Sequence, residues 1–244
     1  MKYKNITKAK FIKRPNRFIA HVEIGGDELI VHVKNTGRCK ELLIPGCTVY
    51  LEKAANPERK TPYDLVAVEK DGRIINIDSQ APNQVVKEYL VSQKQYSYIK
   101  PEYKYGNSRV DFYMEKAGAG ELMQDLGRHD LGEHDNNVDS IAEKYLMEVK
   151  GCTLFRDGVG YFPDAPTERG AKHLRELAAA TREGYHARIA FVIQGEGIRE
   201  VRPNTETDPE FTKAFNEARA AGVEVVFYLC RVTADELEII EESG

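Results

Sequence analysis

Polar and apolar positions alternate along the first eighty residues in short runs of strand length: Lys10-Phe11-Ile12, Phe18-Ile19-Ala20-His21-Val22, Leu29-Ile30-Val31-His32-Val33, Thr48-Val49-Tyr50-Leu51, Leu65-Val66-Ala67-Val68 and Ile74-Ile75-Asn76-Ile77. A period of two buries one face of a strand and leaves the other wet. Between the runs stand turn signals, Gly25-Gly26-Asp27, Pro45-Gly46 and Asp71-Gly72, and runs so punctuated predict a small antiparallel β-barrel of OB type over residues 1–81.

From Pro82 the period lengthens. Val85, Val86, Tyr89 and Leu90 follow Asn83 at helical spacing, with Asn83 in the place of a cap. Apolar runs at Arg109–Met114, Tyr145–Lys150, Ala187–Gln194 and Val223–Leu229 read as strands, and helices separate the last three. One helix carries Leu174, Leu177, Ala178 and Thr181 on a face and stops at Gly184; the other is capped by Asp208, opens on Pro209, buries Phe211, Ala214, Phe215 and Ala218, and ends at Gly222. Alternating strands and helices predict an α/β domain with a mixed central sheet over residues 82–244. The Gly-, Asp- and His-rich stretch from Glu115 to Glu143 reads as a surface excursion between two core strands.

Composition narrows this picture in three ways. No apolar run reaches signal-peptide length or the roughly 20 residues of a membrane span, so a cytoplasmic location without membrane contact is expected. Cys39, Cys47, Cys152 and Cys230 have neither CxxC spacing nor nearby histidines at finger-like spacing, which points to inert thiols rather than zinc or disulfides. The net charge of −4 argues against a uniformly basic nucleic-acid binder, but Lys and Arg are concentrated in the first 60 residues, and acid collects between Glu115 and Glu148 and at the C-terminus. A basic face on the barrel and a solvated mixed surface are both compatible with that distribution.

The candidate chemistry lies on the strand Tyr145–Lys150. Leu146, Glu148 and Lys150 share one face there, and a carboxylate beside an ammonium among apolar neighbours is costly to bury without a partner or a metal. Asp111, on the preceding strand, is the expected partner. Two carboxylates converging on one point repel unless one is protonated or a cation joins them, and hard oxygen ligands favour Mg²⁺ or Mn²⁺. Such a site suits phosphodiester hydrolysis, with Asp111 and Glu148 as ligands and Lys150 serving the attacking water. The competing reading of Glu148 and Lys150 is an exposed ion pair on an edge strand.

Longer segments sharpen the choice. Arg14-Pro15-Asn16-Arg17-Phe18, His32-Val33-Lys34-Asn35-Thr36-Gly37-Arg38, Glu41-Leu42-Leu43-Ile44-Pro45-Gly46, Tyr105-Gly106-Asn107-Ser108-Arg109-Val110-Asp111-Phe112, Glu148-Val149-Lys150-Gly151-Cys152-Thr153-Leu154 and Phe162–Leu174 resemble the sugar fermentation stimulation protein A family over nearly the whole chain. The resemblance implies an OB-like domain followed by a PD-(D/E)xK nuclease-like domain, DNA binding, a regulatory role in sugar use, and the nuclease signature on Asp111, Glu148 and Lys150. Cys39 departs from the family's more usual Met, and residues 116–142 look longer than usual.

Further residues follow from the residues and the resemblance together. Arg169, Lys172 and His173 open a helix, a place suited to phosphate, with a packed histidine as the competing reading. Arg14, Asn16, Arg17, Asn35, Thr36 and Arg38 are candidate nucleic-acid contacts on the barrel, against turn-locking at Asn35-Thr36-Gly37; Arg109 is a candidate beside Asp111. Glu88 on the first helix and Gln194 at a strand end are additional site candidates, and His129 and His134, with Asp130, Glu133 and Asp135, carry ligand types for a transition metal but equally suit a solvated excursion. The expected function is a DNA-binding protein with a metal-dependent nuclease-type site. A non-catalytic DNA-binding regulator on the same scaffold, and a sugar-responsive protein that touches no nucleic acid, are the alternatives. Nothing in the residues separates DNA from RNA, or a monomer from a dimer.

Overall fold

The computed structural model describes residues 1–35, 37–117 and 142–244. Strands β1 (Ile6–Lys13), β2 (Ile19–Ile24), β3 (Asp27–Val33), β4 (Thr48–Lys53) and β5 (Tyr63–Lys70) form a sheet in the order β3-β2-β1-β4-β5, closed into a five-stranded barrel by parallel pairing of His32 with Asp64 and Val33 with Leu65; β6 (Arg73–Asn76) adds to β5. Alternation places Ala20, Val22, Val31, Val33, Val49 and Leu51 inside. In β5 an extra residue, Val66, interrupts the register between Tyr50–Ala67 and Leu51–Leu65, so that Leu65 and Val68 both point into the barrel. The main-chain carbonyl of Val66 accepts from Ile77.

The chain then enters α1 (Ala81–Gln93), with Pro82 in its first turn, where a missing N–H costs nothing. The helix starts two residues before the expected cap: Gln80 takes the cap position, and Asn83 lies inside the first turn, where its amide is free to reach a neighbouring strand. The second sheet has the order β15-β14-β12-β9-β8-β7, from β7 (Tyr98–Tyr105), β8 (Ser108–Lys116), β9 (Glu143–Cys152), β12 (His186–Ile193), β14 (Glu224–Val232) and β15 (Leu237–Ser243). β9, β12 and β14 run parallel, while β7, β8 and β15 pair antiparallel to their neighbours. Helix α1 covers one face, on Met147, Val149, Val192 and Tyr228; α2 (Glu168–Arg182) and α3 (Pro209–Ala220) cover the other, on Leu146, Ile189 and Phe191. A small sheet of β10 (Leu154–Arg156), β11 (Val159–Phe162) and β13 (Val201–Pro203) lies in the crossovers.

The two helices are punctuated as their sequences require. Thr167 caps α2 by accepting from the N–H of Gly170, and Asp208 caps α3 from Phe211 while its second oxygen accepts the N–H of Thr167. Asp208 therefore fixes both helix starts at once. No helix among the described residues is long and apolar enough to cross a membrane.

Barrel and sheet are joined by a buried polar network. The N–H of Asn76 donates to the carbonyl of Gln194 at 2.9 Å, and the Gln194 amide donates to Asn76 Oδ1 at 2.8 Å and to the Asp78 carbonyl at 3.1 Å. Tyr3 and Lys34 complete it, with the Lys34 ammonium 2.8 Å from Asp78 Oδ2. Polar groups so deeply buried are tolerated because each has a partner.

Candidate active site

Strands β8 and β9 pair from Lys116–Glu143 as far as Phe112–Met147 and then separate. One step further stand Asp111 and Glu148. Across β8 the partner position on β7 is Glu102, held in a left-handed conformation (φ 51°) and absent from the ladder. Into this opening the Asp111 carboxylate projects: Oδ2 accepts the main-chain N–H of Val149 at 2.7 Å and Oδ1 accepts from the Asn83 amide of α1 at 2.8 Å. Burial pushes the Asp111 carboxyl up, and the negative charge of Glu148 adds to the rise; Val149, Lys150 and Asn83 oppose it without cancelling it.

Glu148 is 3% exposed. Its Oε1 accepts from the Lys150 ammonium and from Nδ1 of His173, while Oε2 is buried and has no partner among the described residues. Burial works against its charge, but the His173 hydrogen bond and the Lys150 ammonium outweigh that and hold the carboxyl below its usual range. Two neighbouring carboxylates are thus pushed in opposite directions, as expected where like charges share a site. An unpartnered buried carboxylate oxygen beside a second carboxylate is the donor chemistry of a hard divalent cation, so the residues present fit Mg²⁺ or Mn²⁺.

The other sequence candidates are distributed unevenly around this centre. His173 is buried at 5% exposure and reaches Glu148 from α2, and Arg169 donates to its Nε2 at 3.3 Å. The packed reading of His173 therefore holds as to burial, and its partner is the site itself. Lys172, on the outer face of α2, pairs with Glu176. Glu88 does not reach Asp111: its carboxylate takes the chain's amino terminus at 2.9 Å, and the group that α1 sends to Asp111 is Asn83. Gln194 is buried in the inter-domain network. Arg109 is exposed on β8 two residues before Asp111. Thr36 and the His129/His134 cluster lie outside the described residues. The thiols of Cys39, Cys152 and Cys230 are buried, and burial pushes each up to about 12.

On the barrel, the candidates divide into builders and contacts. Arg14 spends its guanidinium on the main-chain carbonyls of Arg17, Asn35, Gly37 and Arg38, at 2.6–3.0 Å. Asn16 accepts from Phe18 and Ile19, and Asn35 accepts from Gly37 while donating to Ile77. These three shape the loops, and Arg14 and Asn16 also line the groove beside them. Arg17 and Arg38 are exposed, and with Lys13 and Lys40 they rim a groove of about 680 Å³ floored by Phe11, Leu43 and Pro45 and walled by Ala165 and Pro166 of the α/β domain. No carboxylate lines it among the described residues. A second cleft of about 320 Å³ shares Gly37, Ala165 and Pro166 with this groove and extends to Gly151, the residue after Lys150. A third, of about 390 Å³, borders Asp111 with Asn83, Lys87 and Lys34.

Residues 12–77 match the SfsA N-terminal OB domain, and residues 80–236 match the sugar fermentation stimulation protein RE domain. The chain belongs to the sugar fermentation stimulation protein family. Family members from Clostridium beijerinckii and Desulfitobacterium hafniense, each a sugar fermentation stimulation protein homolog, are 48% and 47% identical over 242 and 240 residues; both alignments cover 98% of this chain, and they cover 96% and 95% of the relatives. Among solved structures, Pyrococcus furiosus SfsA in complex with Ca²⁺ superposes with a TM-score of 0.78 at 26% identity, covering 100% of this chain and 97% of the other. The barrel followed by a mixed-sheet α/β domain is the architecture of the family.

Proposed function

We propose that this protein binds nucleic acid, DNA in the first instance, in the basic groove and hydrolyses phosphodiester bonds at Asp111, Glu148 and Lys150 with a divalent cation. The observation that carries the reading is the unpartnered Oε2 of Glu148, buried beside the Asp111 carboxylate. Asp111 and Glu148 would hold Mg²⁺ or Mn²⁺, which when bound supplies Lewis-acid activation of a phosphodiester and of water. That a relative was solved with Ca²⁺, another oxygen-seeking ion, supports the choice of cation class.

The chain's own groups divide the remaining work. Asn83 and the Val149 N–H hold Asp111 in place. Lys150, whose ammonium lies on Glu148, is placed to orient the attacking water once a phosphate competes for its charge. Arg17, Arg38, Lys13 and Lys40 hold backbone phosphates, while Arg109 offers a cation two residues from Asp111 and Lys172 one on the outer face of α2. The link to sugar use in the family's name is read as a consequence of nucleic-acid binding inside the cell.

A second reading, a regulator that binds DNA without cutting it, is favoured by one feature: the cationic groove lies on the barrel, whereas the carboxylates lie in the other domain. Labelled single- and double-stranded DNA and RNA, incubated with the protein and Mn²⁺ or Mg²⁺ beside Asp111→Asn and Lys150→Ala, decide between them. Metal-dependent cutting lost in both variants with binding retained establishes hydrolysis; binding without cutting establishes the regulator; neither binding nor cutting ends both readings.

A further inference from the structure

Glu148 Oε1 takes two hydrogen bonds, one from Lys150 of its own strand and one from His173 of α2, while Oε2 takes none from the described residues. The second donor is what makes this arrangement directional. Lys150 alone is a flexible ammonium that can follow either oxygen, whereas His173 is 5% exposed, fixed on a helix whose next residue, Leu174, is in the core. Its Nε2 accepts from Arg169 Nε, so the ring proton belongs on Nδ1, facing Glu148. An arginine cannot accept a hydrogen bond, and its place against Nε2 excludes the opposite tautomer.

We propose that His173, with its tautomer set by Arg169, is the positioning residue that fixes Glu148 so that Oε2 is presented to the metal. This rests on the reading of Asp111 and Glu148 as a metal centre. His173 continues to hold Oε1 when Lys150 turns away to water or phosphate, so the ligand keeps its aim while the lysine works. Carboxylate ligands are usually oriented by such outer partners, whose loss lowers metal affinity roughly 10–100-fold.

The test uses the full chain and Mn²⁺ alone, with bound ion measured by the loss of the free Mn²⁺ resonance signal, so no substrate turnover is needed. His173→Asn places an amide N–H where Nδ1 stood and should keep affinity within about threefold of wild type, whereas His173→Leu should lose roughly 10–100-fold. Nitrogen-15 spectra of the wild-type ring should show the proton on Nδ1, and Arg169→Met should yield a mixture of tautomers together with weaker Mn²⁺ binding. Thermal melts establish which variants are folded, and if His173→Leu does not fold, Arg169→Met carries the affinity comparison. Wild-type affinity in folded His173→Leu or Arg169→Met, an Asn variant as weak as the Leu variant, or a wild-type proton on Nε2 overturns the proposal. Absence of Mn²⁺ uptake by the wild type removes the metal centre itself, and the positioning role with it.

Discussion

Asp111 stands one residue past the last registered pair of β8 and β9, and its side-chain Oδ2 accepts the Val149 N–H that the open ladder has released. A carboxylate there satisfies the β9 backbone and brings negative charge up to Glu148 in a single step. The arrangement stabilises the strand ends through hydrogen bonds and destabilises them through like charge.

The opposing effects can be separated by Asp111→Asn. An asparagine can still accept from Val149 through Oδ1, and Asn83 can turn its amide to present its own oxygen. Because burial and Glu148 push the Asp111 carboxyl up, removing the charge relieves strain in the metal-free protein. The expected result is a metal-free Tm equal to or above wild type and Mn²⁺ affinity lower by at least roughly tenfold. A Tm well below wild type would show that the carboxylate is needed for the fold and not for an ion.

On the barrel, substitution should sort loop builders from ligand contacts. Arg14→Ala deprives four main-chain carbonyls of their donor and should cost about 2 kcal/mol in urea unfolding. Arg38→Ala and Lys40→Ala, exposed on the groove rim, should leave the unfolding curve in place; each should weaken DNA binding and lower the slope of log affinity against log salt by about one. Unchanged affinity in an Arg38→Ala/Lys40→Ala double variant would move the nucleic-acid surface elsewhere.

The sequence revealed most where chemistry repeats along one element. The barrel strands were legible from period-two runs broken by glycine turns, and the common face of Glu148 and Lys150 followed from strand alternation alone. The edge strands were not: β7 carries Pro101 and exposed lysines, and β15 is acidic, both suited to an unpaired edge and poor in apolar signal. His173 falls in the same stripe as Ala171, Leu174 and Leu177, where a helical pattern predicts core. A polar residue in that stripe, facing a strand that carries a buried glutamate, was the available signal. Gln194 meets Asn76 and Asp78 only through the docking of the two domains, which no local period encodes.

Acid should act on the barrel closure through Asp64. Burial opposes its charge, but paired hydrogen bonds from Arg59 and one from His32 hold the carboxyl below the usual carboxylate range. A native pKa below the unfolded one stabilises the fold above the unfolded value, and that contribution disappears as pH falls through the native value. Asp64→Asn should therefore be less stable than wild type near neutrality, and the gap between their urea midpoints should shrink progressively below roughly pH 4. A gap that stays constant into acid would mean that shape, and not charge, is what Asp64 contributes.

Gly151 links the inter-domain network to the lysine beside it. A Cβ at this position would lie 2.3 Å from Gln194 Oε1 and 2.9 Å from Pro82 Cγ, closer than atoms approach without displacement. The Gln194 amide cannot retreat, because its nitrogen is held by Asn76 and by the Asp78 carbonyl. Gly151→Ala should therefore push β9 away from Gln194 and from Pro82 of α1 at the residue following Lys150, costing about 1–3 kcal/mol in stability. Gln194→Ala opens space for the new methyl but removes one of the two donors to Asn76 Oδ1 and the side-chain donor to the Asp78 carbonyl, a loss of about 1–2 kcal/mol by itself. In the double variant the two costs should fall short of their sum, since removing the amide relieves the closer contact and leaves only that with Pro82. Strict additivity in urea unfolding would show that Gly151 is required by its backbone alone and that the close contact with Gln194 carries no energy.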